Sequence, residues 1–148
     1  MPLAYSDKNP ILIIDPGHGG TDPGGGGNKD FKEKDKVLSM SLYMLNRCRE
    51  LKIPVGITRT TDKLVAPLDR AKMIRESNAK YCISNHINSA SDKNARGCET
   101  IHSIHSDGVF AKLIYENLQD HIPGRRVFTR AQESDKTKDY YYIHRLLS

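Results

Sequence analysis

The stretch ILIIDPGHGGTDPGGGG, residues 11–27, joins an apolar run to a loop that contains seven of the chain's eleven glycines. The β-branched residues of ILIID predict a strand that is buried on both faces, and Pro16 and Gly17 predict its end. His18 follows directly beyond the carboxyl end of that strand. In open α/β sheets, functional sites gather in the loops beyond the carboxyl ends of strands. The stretch therefore predicts a central strand and a candidate site together.

Helical and strand patterns alternate along the rest of the chain. Helices are predicted at 33–52, at 67–79 with Pro67 in the first turn, and at 107–122 behind a capping Asp107. Strands are predicted at 53–58, 80–88 and 98–104, and the segment after residue 130 predicts another helix or turn. This alternation predicts one α/β domain over residues 1–148, layered, with a largely parallel twisted sheet flanked by helices.

The predicted helices each have an apolar face. The face of the first helix is predicted to consist of Leu38, Leu42, Leu45, Cys48 and Leu51. That of the second contains Leu68, Ala71 and Ile74, and that of the third contains Phe110, Leu113, Ile114 and Leu118.

The composition is typical of a globular protein and not of a membrane-spanning one. The chain is 37% hydrophobic and 28% charged, and none of its apolar runs approaches the roughly 18 residues of a membrane span. The net charge of +5 favours an anionic partner, but the basic residues are scattered and match no nucleic-acid-binding motif, so we expect no nucleic acid partner.

Cys48, Cys82 and Cys98 are widely spaced in apolar contexts, which predicts buried free thiols. The first residues have no basic and apolar segments typical of a signal peptide.

The glycine-rich loop does not fit a nucleotide site. Gly17 and Gly19 start a GxGxxG pattern, but Asp22 occupies the position of the third glycine. The loop also lacks the Gly-Lys-Ser/Thr of a phosphate-binding loop. An α/β nucleotide-binding protein remains only a distant alternative.

A metal site fits the pattern better. Catalytic zinc sites use three protein ligands and keep a fourth position open. His18 follows the first strand, Glu33 begins the first long helix and His86 ends a later strand, so neighbouring parallel strands would bring them together. Gly17, Gly19 and Gly20 would leave space around the ion.

Each of these residues also has a structural alternative. Asp30 and Glu33 are spaced as the two halves of an acidic capping box at a helix start. A histidine in a loop or at a strand end, such as His18 or His86, is often only hydrogen-bonded. The other histidines, which are His102, His105, His121 and His144, are interpreted as surface or structural residues.

The chain resembles the zinc-dependent N-acetylmuramoyl-L-alanine amidases of the amidase-3 type, a family found among autolysins, sporulation hydrolases and phage endolysins. The resemblance rests on IDPGHGGTDPG (14–24), the helix-opening Glu33, TRTTD (58–62), PLDRAKMIRESNA (67–79), ISNHINS (83–89) and GCETIHS (97–103). It implies zinc ligands at His18, Glu33 and His86. It also implies hydrolysis of the amide bond between N-acetylmuramic acid and L-alanine in bacterial peptidoglycan.

The family's second glutamate, a general acid and base, lies in a Val-Glu-x-Gly-Phe-like strand near the domain's C-terminus. That motif is missing here, so we expect that glutamate and the last strand of the sheet to lie beyond Ser148, in a chain that is truncated. Losing a positioned acid and base costs ~10²–10⁴ in rate, which predicts weak or no activity. Glu133 is a minor alternative for this role. A non-catalytic peptidoglycan-binding module that retains zinc is the alternative function.

Several smaller expectations complete the interpretation. Asn88 would share a strand face with His86 if the strand continued, and is a candidate for substrate binding or a turn residue. Arg59 and Arg70 are interpreted as structural. Tyr140–Tyr142 are interpreted as the amphipathic wall of an unfinished core, with stacking on sugars as the alternative. We expect a monomer that acts at the bacterial cell wall, either extracellularly or after release by lysis.

Overall fold

A computed structural model describes residues 1–25, 30–92 and 94–147. The chain forms two compact units, residues 1–89 and 90–148. Residues 26–29, which belong to the glycine-rich loop, lie outside the described residues. The prediction of a single domain over residues 1–148 therefore stays a prediction.

The first unit is built on a four-stranded sheet. Its elements in chain order are β1 (Tyr5–Ser6), β2 (Leu12–Pro16), α1 (Glu33–Glu50), β3 (Val55–Ile57), α2 (Pro67–Glu76) and β4 (Tyr81–Asn85). The strand order is β1-β3-β2-β4, in which β2 pairs parallel with β3 and β4, and β1 pairs antiparallel with β3. The strand β2 lies at the centre of the sheet, and its successive residues Ile13 and Ile14, which point to opposite faces, are both buried, as predicted.

The second unit contains a smaller parallel sheet. It consists of β5 (Cys98–Ile101), α3 (Val109–Leu118), β6 (Gly124–Phe128) and α4 (Tyr142–Leu147). The strands β5 and β6 pair parallel, and α3 connects them. Both units are therefore mixed α/β structures with mostly parallel strands, which confirms the predicted fold class.

The core of the first unit centres on the sheet and α1. Ile14, Leu45, Val55 and Ile57 form a cluster of buried side chains. The buried residues of α1 are Glu33, Val37, Ser41 and Leu45, so the predicted stripe is only partly correct. Leu51 is exposed, and Ser41 is buried because its hydroxyl accepts a hydrogen bond from Asn85 at 2.8 Å.

Other sequence predictions need correction. Leu68 is exposed, and Arg70 and Met73 are buried in α2 with Ala71 and Ile74. The helix α3 begins at Val109 with Gly108 as its N-cap, so Asp107 is not the cap, although its carboxylate accepts a hydrogen bond from the Val109 backbone. None of the residues of α3 is fully buried.

The cysteines are free, as predicted, but each is only partly buried. Desolvation raises the pKa of the Cys82 thiol well above its usual range, so this thiol is protonated at neutral pH. Tyr140 and Tyr142 are exposed and lie beneath the guanidinium groups of Arg130 and Arg145. The prediction that the three tyrosines form a core wall is therefore wrong for these two.

Candidate metal centre

The two histidines lie just beyond the ends of two neighbouring strands. The strands β2 and β4 pair in parallel up to Pro16 and Asn85, and the Gly17 amide donates to the Asn85 carbonyl at 3.0 Å. His18 and His86 follow immediately beyond these last pairs, as the sequence predicted. His18 has a φ of 58°, a left-handed conformation that is uncommon for a non-glycine residue and typical of functional sites.

Glu33 is the first residue of α1, and its carboxylate is only 3% exposed. Its two oxygens accept hydrogen bonds from the Ile87 amide (2.8 Å) and the Gly25 amide (2.8 Å). The N-cap of α1 is Lys32, which makes no side-chain cap. The capping-box alternative is therefore wrong, since the Glu33 carboxylate is engaged with loops outside the helix.

Three ligand atoms converge at this point. His18 Nε2 lies 3.2 Å from Glu33 Oε1, and His86 Nδ1 lies 3.1 Å from His18 Nε2 and 3.2 Å from Glu33 Oε1. Tetrahedral zinc with ligands at ~2.05 Å spaces its donor atoms about 3.3 Å apart. Linear hydrogen bonds cannot satisfy all three of these contacts at once, whereas one cation can contact all three atoms. The donor set and the spacing therefore fit a metal ion.

The protonation states favour metal binding. Burial raises the pKa of the Glu33 carboxyl, but the hydrogen bonds from Ile87 and Gly25 and the nearby imidazoles outweigh it, so the pKa lies below its usual value. Partial burial lowers the pKa of His86, and His18 lowers it further. At neutral pH the group therefore presents a carboxylate and a neutral His86 imidazole, which are the forms that bind metals.

Glycines make room for two of the three candidate ligands. A Cβ at Gly17 would lie 2.4 Å from Cε1 of the His86 ring, and a Cβ at Gly24 would lie 2.5 Å from Cβ of Glu33. The sequence predicted this role for Gly17 but not for Gly24. Gly19 and Gly20 instead have positive φ angles and pack against the backbone of residues 63 and 64, so they shape the loop rather than the ion's surroundings.

Two buried arginines brace the loop that carries His18. Arg59 donates to the carbonyls of Pro16 (3.2 Å) and Gly17 (2.8 Å). Arg70 donates to the carbonyls of Pro16 (2.7 Å) and His18 (3.1 Å) and pairs with the buried Asp15. This confirms that both arginines are structural, and it shows that their structural role is to hold the loop of the candidate centre.

Other contacts of the loop were missed by the sequence analysis. Asp22 Oδ2 lies 2.8 Å from His18 Nδ1, and Asp62 accepts hydrogen bonds from the Gly20 amide (2.7 Å) and from Lys34 (2.6 Å). Asp22 lies four residues after His18, but in a loop that spacing alone predicts no contact. Whether the chain turns back at Asp22 depends on loop conformation, which the residue spacing does not give.

The remaining candidates lie outside the three-atom group. The strand β4 ends at Asn85, so the exposed Asn88 is not on a strand face with His86, and its role in substrate binding stays a prediction. His102 and His144 are partly buried and His105 and His121 are exposed, all in the second unit. Glu133 is exposed in the same unit.

The parallel sheet and the converging His-Glu-His group define an α/β protein with a candidate metal centre at the carboxyl edge of its sheet. The chain belongs to the amidase-3 family, described as N-acetylmuramoyl-L-alanine amidase, whose model matches residues 12–146. This match confirms the family resemblance found in the sequence motifs.

Curated relatives carry the same description. The chain is 27% identical over 120 residues to N-acetylmuramoyl-L-alanine amidase AmiA of Escherichia coli, a match that covers 78% of this chain and 42% of AmiA. It is 35% identical over 80 residues to the sporulation-specific N-acetylmuramoyl-L-alanine amidase of Bacillus subtilis, which covers 53% of this chain and 31% of the relative. The chain thus spans less than half the length of these relatives.

Solved structures share the fold. AmiC2 of Nostoc punctiforme, an N-acetylmuramoyl-L-alanine amidase, matches with a TM-score of 0.80 and 25% identity over 97% of this chain and 76% of that chain. Cwp6 from Clostridium difficile matches with a TM-score of 0.82 and 28% identity over 92% of this chain and 22% of that chain. In the described residues, no helix is long and apolar enough to cross a membrane.

Proposed function

We propose that His18, Glu33 and His86 hold a zinc ion, and that the chain hydrolyses the amide bond between N-acetylmuramic acid and L-alanine in bacterial peptidoglycan. The observation that carries the proposal is the triangle of ligand atoms, 3.1 to 3.2 Å on each side, within a chain that matches the amidase family over residues 12–146. Two neutral nitrogens and one carboxylate are a ligand set of catalytic zinc sites. The proposed place of action is the bacterial cell wall.

Glu33 and the loop that carries His18 would have different roles in such a zinc site. When bound, zinc supplies Lewis-acid polarisation of a carbonyl and lowers the pKa of water toward ~7. Glu33 contributes one negative charge from a nearly buried position, where backbone amides fix both of its oxygens. The loop braced by Arg59 and Arg70 fixes the backbone of His18. These contacts hold the carboxylate of Glu33 and the backbone of His18 in place before any metal binds.

Access to the centre comes from the histidine side. The His86 side chain is 49% exposed and that of His18 is 21% exposed, whereas Glu33 is nearly buried. A large polymeric substrate needs a ligand group that is open to solvent on one side. We propose Asn88, exposed two residues after His86, as a contact for that substrate.

Metal analysis of the purified chain tests the first half of the proposal. We expect about one zinc ion per chain after dialysis, and loss of that zinc in His18→Ala. The matched control is His105→Ala, which removes an exposed histidine from the second unit and should retain the zinc. Absence of stoichiometric zinc in the wild-type chain would contradict the proposed centre.

Wall hydrolysis tests the second half. The assay measures release of dye-labelled fragments from purified peptidoglycan, and mass spectrometry identifies stem peptides with a free N-terminal L-alanine as the products. Chelator should abolish the release and added zinc should restore it. Zinc binding and retention on purified peptidoglycan in a pull-down, both without hydrolysis, would instead support a non-catalytic peptidoglycan-binding module. The same assay measures whether activity is as weak as the sequence leads us to expect.

A further inference from the structure

Asp22 contacts a candidate ligand from outside the metal group. Its Oδ2 lies 2.8 Å from His18 Nδ1, and its Oδ1 accepts the Gly24 amide at 3.1 Å. The backbone pair between Gly19 and Asp22, with N–O distances of 3.0 and 3.1 Å, closes the loop and brings Asp22 back to the imidazole. The two oxygens of one carboxylate therefore face two separate groups.

The chemistry of this contact assigns the proton on His18. An ionised carboxylate can only accept hydrogen bonds, so the proton of a neutral His18 must be on Nδ1. The lone pair is then on Nε2, the atom that lies 3.2 Å from Glu33 Oε1 and 3.1 Å from His86 Nδ1. The opposite tautomer would point a proton into the metal group and leave Nδ1 as an acceptor facing a carboxylate. The contact therefore disfavours the form that cannot bind metal.

We propose that Asp22 is a positioning residue that fixes the Nδ1–H tautomer and the ring orientation of His18 and thereby sets the metal affinity of the site. The inference rests on the proposed metal centre and assigns a new residue to it. Carboxylates that hold the outer nitrogen of a metal-binding histidine raise affinity about 10- to 100-fold. Asp22 is the described side chain that meets this requirement for His18.

Asp22→Asn is the informative substitution because it is nearly isosteric. An asparagine has one acceptor oxygen, but the position faces two N–H donors, the His18 ring and the Gly24 amide. If the oxygen stays with Gly24, the amide NH₂ faces His18 Nδ1 and favours the Nε2–H tautomer. If the amide flips, its NH₂ opposes the Gly24 amide and the loop is disturbed. Either orientation should weaken metal binding.

The control must change the same loop without touching the imidazole. Asp62→Asn meets this need, since Asp62 accepts the Gly20 amide at 2.7 Å and pairs with Lys34 but does not contact His18. Both substitutions remove one negative charge near the loop. A difference between them therefore reports the contact with His18 rather than charge or loop packing.

The experiment measures Zn²⁺ affinity by competition with a chromophoric chelator for the wild-type chain, Asp22→Asn and Asp62→Asn. In parallel, ¹⁵N spectra of the metal-free chains at neutral pH report the His18 tautomer. We expect Asp22→Asn to bind Zn²⁺ about 10- to 100-fold more weakly with an increased Nε2–H population, and Asp62→Asn to stay within about threefold of wild type.

The outcomes separate this inference from the proposed function. If the wild-type chain binds no Zn²⁺, the metal centre itself is wrong. If the wild type binds Zn²⁺ and Asp22→Asn binds it equally well, or keeps the Nδ1–H tautomer, the role of Asp22 is overturned. An equal loss of affinity in both variants also overturns it, because the effect would then belong to the loop. The tautomer measurement needs no bound metal, so a folded Asp22→Asn chain that fails to bind Zn²⁺ is still informative.

Discussion

The two units of the chain are stabilised in different ways. Every fully buried hydrophobic side chain among the described residues lies in residues 1–89, including Ile13, Ile14, Val55 and Ile57. In residues 90–147 as described, the buried positions are Gly108 and Asp139. The first unit thus has an apolar core under its sheet, whereas the second depends on partly buried apolar contacts and on a buried carboxylate.

The candidate metal centre belongs entirely to the unit with the apolar core. The strand β2 supplies core residues Ile13 and Ile14 and leads directly into His18. Strands that pack well hold their ends in fixed positions, and ligand atoms must be held to within about 0.5 Å to bind a metal tightly. We infer that the apolar core holds the geometry of the three candidate ligands.

The largest expected effect is on the core itself. Ile57→Ala removes a fully buried side chain from the core cluster and should lower the free energy of unfolding by about 2–5 kcal/mol. Ile122→Ala makes the same chemical change in the second unit, where Ile122 is 43% exposed, and should cost about 1 kcal/mol or less. Chemical denaturation followed by circular dichroism measures both. Equal costs would contradict the contrast between the units.

The next effect concerns the metal centre rather than stability. Gly17→Ala places a Cβ 2.4 Å from the His86 ring, and the ring can yield by rotating away from the ligand group. We expect zinc affinity to fall by at least about 100-fold, or about 2.7 kcal/mol, because one ligand is displaced. Gly25→Ala is the matched control, since its Cβ finds only ordinary contacts at 3.7 and 3.9 Å. Equal zinc affinity in the two variants would refute this account of Gly17.

His18, Glu33 and His86 lie together as predicted because strand ends obey a simple rule, whereas their role as metal ligands stays a prediction. Parallel neighbours place their carboxyl ends at one edge, so His18 and His86 had to meet if β2 and β4 paired. From the sequence, Glu33 could be either a metal ligand or part of a helix capping box. In the structure its oxygens accept hydrogen bonds from the Gly25 and Ile87 amides, which excludes the capping box. Long-range hydrogen bonds of this kind leave no periodic signal in the sequence.

The hydropathy pattern placed several side chains wrongly. Hydropathy predicted a buried Leu51 and Leu68, both of which are exposed, while Ser41 is buried through its bond to Asn85. Leu51 lies one residue beyond the end of α1 and Leu68 is the second residue of α2, so both lie at helix ends, whose positions the hydropathy period does not define. Tyr140 is also exposed, and its ring stacks under Arg130, with the guanidinium carbon 3.7 Å from the ring centroid.

A smaller effect tests the buried carboxylate of the second unit. Asp139 is 1% exposed and accepts hydrogen bonds from Ser103 Oγ (2.7 Å) and the Ile104 amide (2.9 Å). Asp139→Asn should lower the free energy of unfolding by about 1–3 kcal/mol, because one buried donor loses its acceptor. Asp120→Asn makes the same charge change at an exposed position and should have an effect within about 0.5 kcal/mol. If the two variants unfolded at the same denaturant concentration, Asp139 would not support this unit.

The smallest effect is a pH dependence of the second unit. Burial lowers the pKa of His144, and the effect of His102 adds to this while Asp139 opposes it. The unfolded state, with a histidine pKa of ~6.5, therefore takes up more protons than the folded state as the pH falls below that value. The contribution of His144 to stability is thus fully present above about pH 6.5 and is lost progressively under acid conditions. His144→Gln removes this titration, so the midpoint of denaturant unfolding should fall less between about pH 7.5 and about pH 5.5 than in the wild type. If the midpoint fell as much in His144→Gln as in the wild type, other groups would cause the acid sensitivity. Asp139 would then be the remaining buried polar side chain that distinguishes the second unit from the first in this account.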